Sequence, residues 1–182
     1  MKTLPDYLRH DLIIVSIGLN PSLPSVEAGY YFANPRNRFW KALNASRLVD
    51  LPLQPGGEAV EKLFIKYRIG FTDLVKRPTA MGKDLRVTDY REGAPLLKQK
   101  LLEYQPQLAW FHGLGTYKQY LKHAEGVETK VVEGPQKRLI GKTRVYVTPN
   151  PSPANARYSL DDLVRAYDDM VSYNIREAFG MG

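Results

Sequence analysis

Residues 12–22 read Leu12-Ile13-Ile14-Val15-Ser16-Ile17-Gly18-Leu19-Asn20-Pro21-Ser22, and this stretch decides the fold class. Five of the first six side chains are aliphatic. A short apolar run that is rich in β-branched residues and ends in glycine is typical of a strand buried on both faces. Such strands belong to parallel sheets, because the helices that connect parallel strands cover both sides. The residues after Gly18 are small or polar, which indicates a loop at the end of this strand.

The rest of the chain alternates similar apolar segments with amphipathic ones. Further strands are predicted at 69–75, 108–112 and 144–148, and helices at 38–48, 58–66, 89–104, 117–122 and 159–178. Pro95 should lie in the first turns of its helix or divide it. Alternating strands and helices predict an α/β fold in which helices cover both faces of a parallel sheet. No repeat or linker divides residues 1–182, which predicts one domain.

The composition is that of a soluble globular protein. The chain has 182 residues, of which 43% are hydrophobic and 25% are charged. It carries 26 lysines and arginines against 19 aspartates and glutamates, so the net charge is +7. A basic chain of this kind favours a nucleic acid as partner, although solvated surface lysines alone give the same total.

The residue inventory excludes several classes of site. The sequence has no cysteine, which excludes disulfides, cysteine-ligated metals and thiol catalysis. His10, His112 and His123 are far apart in the sequence, so a histidine-based metal site is not expected. No apolar run approaches the roughly 20 residues of a membrane span, and residues 1–11 do not resemble a signal peptide. We therefore expect a cytoplasmic, nucleoid-associated protein with no membrane partner.

Three of the predicted strands end in loops of small residues, asparagine and serine. These loops cover residues 18–22, 112–115 and 150–155. Ligands in an open α/β sheet bind beyond the carboxyl ends of the strands, which makes these loops candidates for the site. They offer no obvious general base, but asparagine, serine and backbone amides can hold a water molecule and stabilise a departing anion. Cleavage of an N-glycosidic bond suits such a site, because its loose, cation-like transition state needs little nucleophilic push.

Loops that contain glycine can also hold a phosphate or a dinucleotide. However, no Gly-x-Gly-x-x-Gly motif follows the first strand, and the chain has no complete Gly-x-x-x-x-Gly-Lys-Ser/Thr phosphate loop. The sequence therefore disfavours a nucleotide cofactor.

Several segments resemble the mismatch-specific uracil/thymine-DNA glycosylases, a family within the uracil-DNA glycosylase superfamily. The main motifs are Gly18-Leu19-Asn20-Pro21, Gly29-Tyr30-Tyr31-Phe32-Ala33, Asn37-Arg38-Phe39-Trp40-Lys41 and Asn150-Pro151-Ser152. Segments 72–75, 77–79 and 104–106 fit the same pattern. Because these segments occur in this order and at compatible spacing, the resemblance is more specific than a lone Gly-x-Asn-Pro motif.

The resemblance implies both a fold and an activity. The implied fold is a three-layer α/β/α sandwich around a mainly parallel sheet, formed by residues 1–182 as a single glycosylase domain. The implied activity is that of a monofunctional DNA N-glycosylase, which flips uracil out of mismatched double-stranded DNA and leaves an abasic site. Thymine and other damaged bases are further candidate substrates. The family implies no metal and no cofactor, and we expect a monomer.

By resemblance, Asn20 is the catalytic residue, and its side-chain amide holds the attacking water. An amide oxygen can accept a hydrogen bond from water but cannot remove the proton. Gly18, Leu19 and Phe32 are expected to bind the base: Phe32 stacks on the flipped ring, and backbone amides near Leu19 and Phe32 stabilise the leaving group. Ser25 falls at the C5 edge of the base, where a small side chain leaves space for substituents; a plain loop serine is the alternative.

The remaining site residues are assigned to the flipped nucleotide and its phosphates. Tyr31 is placed with the substrate-binding residues, but it departs from relatives that carry His or Pro, so its role stays open. Asn150 and Ser152 resemble the second motif, which grips the flipped nucleotide and its phosphate. Gly113 and Gly115 are expected to let backbone amides touch a phosphate, or they serve only the tight turn.

The tip of the last loop is expected to fill the space that the flipped base vacates. This wedge includes Ala154, Asn155 and Arg157. Small alanines make a poor plug, so Arg157 or Asn155 is predicted to enter the DNA helix. Two polar residues near the site are predicted to be structural: His112 as a satisfied buried histidine and Asp73 as a hydrogen-bonding partner.

Two other functions fit parts of this pattern. A non-catalytic DNA-binding or damage-sensing module could use the same scaffold, although the intact Asn20 argues against it. An α/β hydrolase-like or nucleotide-binding enzyme with a small substrate is the other alternative. Its activity should be indifferent to salt, whereas a DNA enzyme should weaken steeply as salt rises.

Overall fold

The structure is a computed structural model that describes residues 1–180. Its sheet has the strands β1 (Ile14–Gly18), β2 (Ile69–Asp73), β3 (Leu108–His112), β4 (Gly134–Pro135) and β5 (Arg144–Thr148). Their spatial order is β2-β1-β3-β5-β4. β1, β2, β3 and β5 run parallel, while the two-residue β4 is antiparallel to β5. The predicted α/β fold with a mainly parallel sheet is therefore confirmed.

Helices cover both faces of this sheet. Residues 1–180 contain the α-helices α1 (Leu23–Ala28), α2 (Phe39–Ala45), α3 (Gly57–Ile65), α4 (Val87–Tyr104), α5 (Leu114–Tyr120) and α6 (Leu160–Ala178). Because neighbouring side chains of a strand point to opposite faces, Ile14 packs with α2, α3 and α6, while Val15 and Ile17 pack with α4 and α5. These two cores produce the three-layer α/β/α arrangement.

Several helix boundaries differ from the predictions. The predicted loop after β1 contains α1, whose N-cap is Ser22, because the Ser22 hydroxyl accepts the Ser25 N–H at 3.2 Å. Pro95 lies in the middle of α4 without dividing it, so the prediction for Pro95 is wrong. Pro95 has no N–H, so the carbonyl of Arg91 loses its helical hydrogen bond. Both residues are exposed, so water can bond that carbonyl instead. The helix predicted at 117–122 begins earlier, as α5, and continues into a π-helical turn at Leu121–Glu125.

The strand order places a crevice at the carboxyl ends of β1 and β3. From β1 the chain crosses to β2 on one side, and from β3 it crosses to β5 on the other. Ligands of open α/β sheets bind at such a reversal. Gly18 and His112 end the two strands, so the loops that follow them meet at this edge. Within residues 1–180, none of the helices combines the length and the apolar character that a membrane crossing requires.

Candidate active site

A cavity of about 1100 Å³ opens at the carboxyl edge of the sheet. Every residue predicted for the site lines this cavity, namely Gly18, Leu19, Asn20, Ser25, Tyr31, Phe32, Gly113, Gly115, Asn150, Ser152, Ala154, Asn155 and Arg157. They come from three segments that are far apart in the sequence, and the sheet topology brings them together. Their individual roles remain predictions.

The Asn20 side chain is fixed by two hydrogen bonds that its amide nitrogen donates. The acceptors are the Arg77 carbonyl at 2.9 Å and the Thr79 hydroxyl at 2.8 Å. The Thr79 hydroxyl donates its own proton to the Met81 carbonyl at 2.7 Å, so toward Asn20 it can only accept. Both partners therefore require the nitrogen of the amide. The Asn20 oxygen makes no hydrogen bond within residues 1–180 and is left as the free polar atom beside the cavity.

The loop that holds Asn20 is itself anchored by an ion pair. The Arg77 guanidinium bonds both carboxylate oxygens of Asp89, at 2.9 and 2.7 Å, and the Asp84 carbonyl at 3.0 Å. The hydrogen bonds from Arg77 lower the pKa of Asp89 to about 2, so this carboxylate is ionised at neutral pH. Sequence reasoning included Arg77 and Thr79 in the family pattern but assigned them no role.

Phe32 lies on the cavity wall in a strained backbone conformation. Its φ angle is +58°, in the left-handed region that residues other than glycine rarely adopt. Its ring stacks on Phe39 with the centroids 4.1 Å apart, and it meets the His112 ring edge-on at 5.2 Å. Phe39 and Trp40 are both buried in the core. Within residues 1–180 the Phe32 N–H makes no hydrogen bond, so it is available to a ligand.

Ser25 and Tyr31 are buried beside the cavity, and other residues hold both of them. The Ser25 hydroxyl oxygen accepts the Ala33 N–H at 3.0 Å and lies 2.9 Å from the Ser22 hydroxyl oxygen. The Tyr31 hydroxyl donates to the Pro5 carbonyl at 2.8 Å, and burial raises the pKa of Tyr31. Both residues therefore shape the wall, and their predicted contacts with a base remain predictions.

Asn150 offers a hydrogen-bond donor to the cavity, whereas Asn20 offers an acceptor. Its amide oxygen accepts the Ser152 N–H at 2.9 Å, an Asx turn that leaves the amide NH₂ without a partner in the described part of the chain. Gly113, with φ of +100°, packs against this side chain, and a Cβ at Gly113 would lie 3.1 Å from the Asn150 Cβ. Glycine is therefore favoured at 113 both by conformation and by space. The cavity thus has a free acceptor on Asn20 and a free donor on Asn150.

Hydrogen bonds between residues of the 150–158 loop hold the loop in a compact turn. The Asn155 side-chain nitrogen donates to the Asn150 carbonyl at 3.0 Å, and the Asn155 N–H donates to the Ser152 carbonyl at 3.0 Å. Arg157, in contrast, is exposed, and its guanidinium lies 5.6 Å from the centroid of the Tyr158 ring. Of the two side chains predicted to enter the DNA helix, Arg157 is therefore the better placed to do so.

Two buried titratable side chains end at the cavity. His112 Nε2 lies 2.7 Å from the Ser16 hydroxyl oxygen, but Nδ1 has no partner within residues 1–180. Burial lowers the pKa of His112 to about 3, so the ring is neutral. The residue is buried as predicted, but only one of its two ring nitrogens has a hydrogen-bond partner within residues 1–180. Burial raises the pKa of Asp73 to about 7, even though Lys76 lies 3.8 Å away.

The structure corrects the prediction for Asp73. Its Oδ2 atom is buried and has no hydrogen-bond partner among residues 1–180, so the predicted structural hydrogen bonding is wrong. The side chain lines the cavity next to Gly18, where an added Cβ would lie only 2.6 Å from Asp73 Oδ1. Its position at the end of β2 was the available signal, because β2 ends at the same sheet edge as β1.

Exposed cations surround the mouth of the cavity. Arg36, Lys83 and Arg157 line it and are exposed to solvent. Positive side chains in such positions suit the phosphates of a nucleic acid. Lys83 belongs to a 3₁₀ turn at Gly82–Asp84 that the sequence pattern did not reveal. Residues 1–180 contain no cluster of three or more histidine or carboxylate side chains that could hold a metal ion.

Comparisons with known proteins identify the family. A solution NMR structure of a candidate uracil DNA glycosylase from Methanosarcina acetivorans is similar in fold, with a TM-score of 0.57 and 22% identity, over 91% of this chain and 93% of that chain. The sequence model of the uracil DNA glycosylase superfamily matches residues 5–171. Glycosylases of this superfamily are hydrolases that act on N-glycosyl bonds, and membership suggests activity on uracil in DNA. Because the match spans most of the sequence, this chain belongs to the uracil DNA glycosylase superfamily.

Proposed function

We propose that this chain is a monofunctional DNA N-glycosylase that flips uracil out of mismatched double-stranded DNA and hydrolyses its N-glycosidic bond. The product is an abasic site, thymine and other damaged bases are further substrates, and the protein acts as a monomer. The observation that carries the proposal is the orientation of Asn20, whose amide oxygen is the free polar atom beside the cavity.

The Asn20 oxygen suits a water nucleophile in a dissociative reaction. It accepts a hydrogen bond from water and thereby orients the water, but it is too weak a base to remove the proton. The bond between base and sugar therefore breaks largely before water attacks, and positive charge develops at C1′ of the sugar. The water held by Asn20 then captures this cation, and its proton passes to solvent.

Hydrogen-bond donors in the cavity suit the departing base. The Phe32 N–H and the Asn150 NH₂ are both available, and either can stabilise the negative charge that grows on the uracil oxygens. The Phe32 ring, supported from behind by Phe39, offers an aromatic surface for the base. Such stacking contributes about 1–3 kcal/mol per base.

The size and the charge of the site suit DNA better than a small molecule. The cavity of about 1100 Å³ slightly exceeds the roughly 300–1,000 Å³ of small-molecule sites, so it has room for a nucleotide. Arg36 and Lys83 at its mouth can contact the phosphates on either side of that nucleotide. Binding through phosphates releases counterions, so the affinity should fall steeply as salt rises.

The direct test is excision from a labelled duplex with a single G·U pair. After incubation with the protein, alkali should cleave the labelled strand at the uracil, since alkali breaks DNA at abasic sites. Without alkali the strand should stay whole, and borohydride should trap no covalent complex, because no amine takes part in the proposed reaction. A duplex with G·C at the same position is the matched control. A panel of bases and opposite bases then ranks the substrates.

The two alternative functions predict different results in the same assay. A damage-sensing module would bind the G·U duplex in preference to the G·C duplex but would produce no alkali-sensitive site. An enzyme with a small substrate would leave the duplex intact, and its activity would not depend on salt. Either result would replace the proposed function.

A further inference from the structure

Arg38 connects the aromatic wall of the cavity to the 150–158 loop. It directly precedes α2, whose first residue, Phe39, stacks on Phe32 at 4.1 Å. The Arg38 N–H donates to the Pro151 carbonyl at 3.1 Å. Arg38 thus joins the surface proposed for base stacking to the N-terminal part of the loop proposed to enter the DNA.

The Arg38 guanidinium binds both the N-terminal and the C-terminal part of this loop through backbone carbonyls. Its Nη2 donates to the Asn155 carbonyl at 2.9 Å and to the Ser152 carbonyl at 3.3 Å, and its Nη1 donates to the Tyr158 carbonyl. A planar guanidinium with several fixed donors suits three carbonyls at once, whereas a lysine ammonium is a single point of positive charge. The acceptors are backbone atoms, so they cannot turn away as side chains can.

This arrangement makes Arg38 different from the cations at the cavity mouth. Arg36 and Lys83 are exposed and free to approach a phosphate, whereas both terminal nitrogens of Arg38 are engaged by the protein. Arg38 Nε is buried and has no hydrogen-bond partner among residues 1–180. Loss of Arg38 should therefore change the shape of the loop and should remove no phosphate contact.

The composition of the loop explains why its shape matters. Its exposed tip contains Pro153, Ala154 and Ala156, none of which has a side chain large enough to replace a base in the stack. Arg157, the side chain predicted to fill the vacated space, can enter the duplex only if the loop backbone that carries it is held in the correct form. A second anchor supports this form, because the Tyr158 hydroxyl donates to the Glu133 carboxylate.

We propose that Arg38 is a positioning residue for base flipping: it holds the 150–158 loop in the conformation that enters the duplex. This inference rests on the proposed function. It assigns the rigidity of the loop to one guanidinium that does not touch the substrate. The flipped state depends on this rigidity, while initial binding depends on the exposed cations at the cavity mouth.

The test compares Arg38→Lys with wild type on a duplex that carries 2-aminopurine next to the uracil. The fluorescence of 2-aminopurine rises when its neighbour leaves the stack, so the signal reports flipping separately from binding. Arg38→Lys should bind the duplex within about threefold of wild type. Its fluorescence rise and its single-turnover rate at saturating protein should fall about tenfold or more, since one hydrogen bond to a charged group contributes enough for such a change.

Arg47→Lys is the matched control, because Arg47 also donates to a backbone carbonyl, that of Asp168 at 2.9 Å, but does not line the cavity. It should behave like wild type. Tyr158→Phe, which removes the contact with Glu133 and leaves Arg38 in place, is a second variant in case Arg38→Lys does not fold. Tyr158→Phe should also lower the fluorescence rise and the single-turnover rate while it keeps the affinity for the duplex, but the decrease should be smaller than for Arg38→Lys.

Two results would overturn this inference while the proposed function stands. Arg38→Lys could flip and cut like wild type, or it could lose affinity together with about one unit of salt slope, as loss of a phosphate contact predicts. If Arg38→Lys does not fold, normal flipping by Tyr158→Phe would count against the inference in the same way. If the wild-type protein releases no uracil at all, the proposed function itself fails, and the inference fails with it.

Discussion

The first prediction concerns the pair of side chains that orients the water. Asn20→Ala removes the free amide oxygen, and Thr79→Val removes one of the two acceptors that hold the amide in place. Thr79→Ser keeps the hydroxyl and serves as the matched control. All three changes are small, and none removes a cation from the cavity mouth, so each variant should bind DNA within about threefold of wild type.

The expected effects differ in size because the two changes remove different interactions. Loss of a preorganised polar group at the reacting centre typically lowers the rate 10²–10³-fold, or about 2.7–4 kcal/mol, and this is the effect expected for Asn20→Ala. In Thr79→Val the amide keeps only its 2.9 Å hydrogen bond to Arg77, and one N–H is left without a partner. An unsatisfied group of this kind costs about 1–3 kcal/mol, so a loss of roughly tenfold is expected.

The assay is single-turnover excision of uracil at saturating protein, which isolates the chemical step from product release. The rates should fall in the order wild type, Thr79→Ser, Thr79→Val, Asn20→Ala. A rate for Asn20→Ala within threefold of wild type would refute the water-orienting role. Equal losses in Thr79→Val and Thr79→Ser would show that residue 79 acts through packing and not through its hydroxyl.

Three further variants test other parts of the site. Because burial raises the pKa of Asp73 to about 7 from 3.8, the folded state retains a proton that the unfolded state loses, and wild-type stability should fall by about 3 kcal/mol as pH rises from 4 to 7. Chemical denaturation should show this fall in wild type and not in Asp73→Asn; equal pH profiles would contradict the buried, unpaired carboxyl. Gly113→Ala should lower the melting temperature by several degrees, because the φ angle of +100° disfavours alanine and the added Cβ would press on Asn150. Gly115→Ala is the control and should leave the melting temperature unchanged, since a Cβ added there has no atom within 4 Å. Equal melting temperatures for the two variants would contradict this geometry. Phe32→Leu should lower the saturating excision rate about 5- to 100-fold through loss of stacking, and a rate within twofold of wild type would exclude a stacking role.

Much of the fold could be predicted because it depends on local patterns. The strands at 108–112 and 144–148 have the predicted bounds, since each is a short apolar run between polar segments. α1 was missed because its six residues include a proline and show no apolar period. β4 was missed because two residues carry no pattern at all.

The site could be predicted as a set of residues but not as a set of contacts. Every predicted residue lines the cavity, because the family motifs and the strand ends mark the same edge of the sheet. The partners of Asn20 could not be found in this way, since Thr79 lies 59 positions away and becomes a neighbour only through the pairing of β1 with β2. Arg38 is part of a family motif in the sequence, and only the fold shows that its guanidinium binds backbone carbonyls.

The most direct measurement of the central claim is a crystal structure of the protein with a duplex that contains 2′-fluoro-deoxyuridine opposite guanine. The fluorine withdraws electrons from the sugar, so it disfavours the cation at C1′ and preserves the uncut nucleotide. The uracil should lie in the cavity against Phe32. A water molecule should sit within roughly 2.6–3.2 Å of Asn20 Oδ1 and point toward C1′. A uracil that remains stacked in the duplex, or an Asn20 oxygen turned away from C1′ with no water between them, would contradict the proposed role of Asn20.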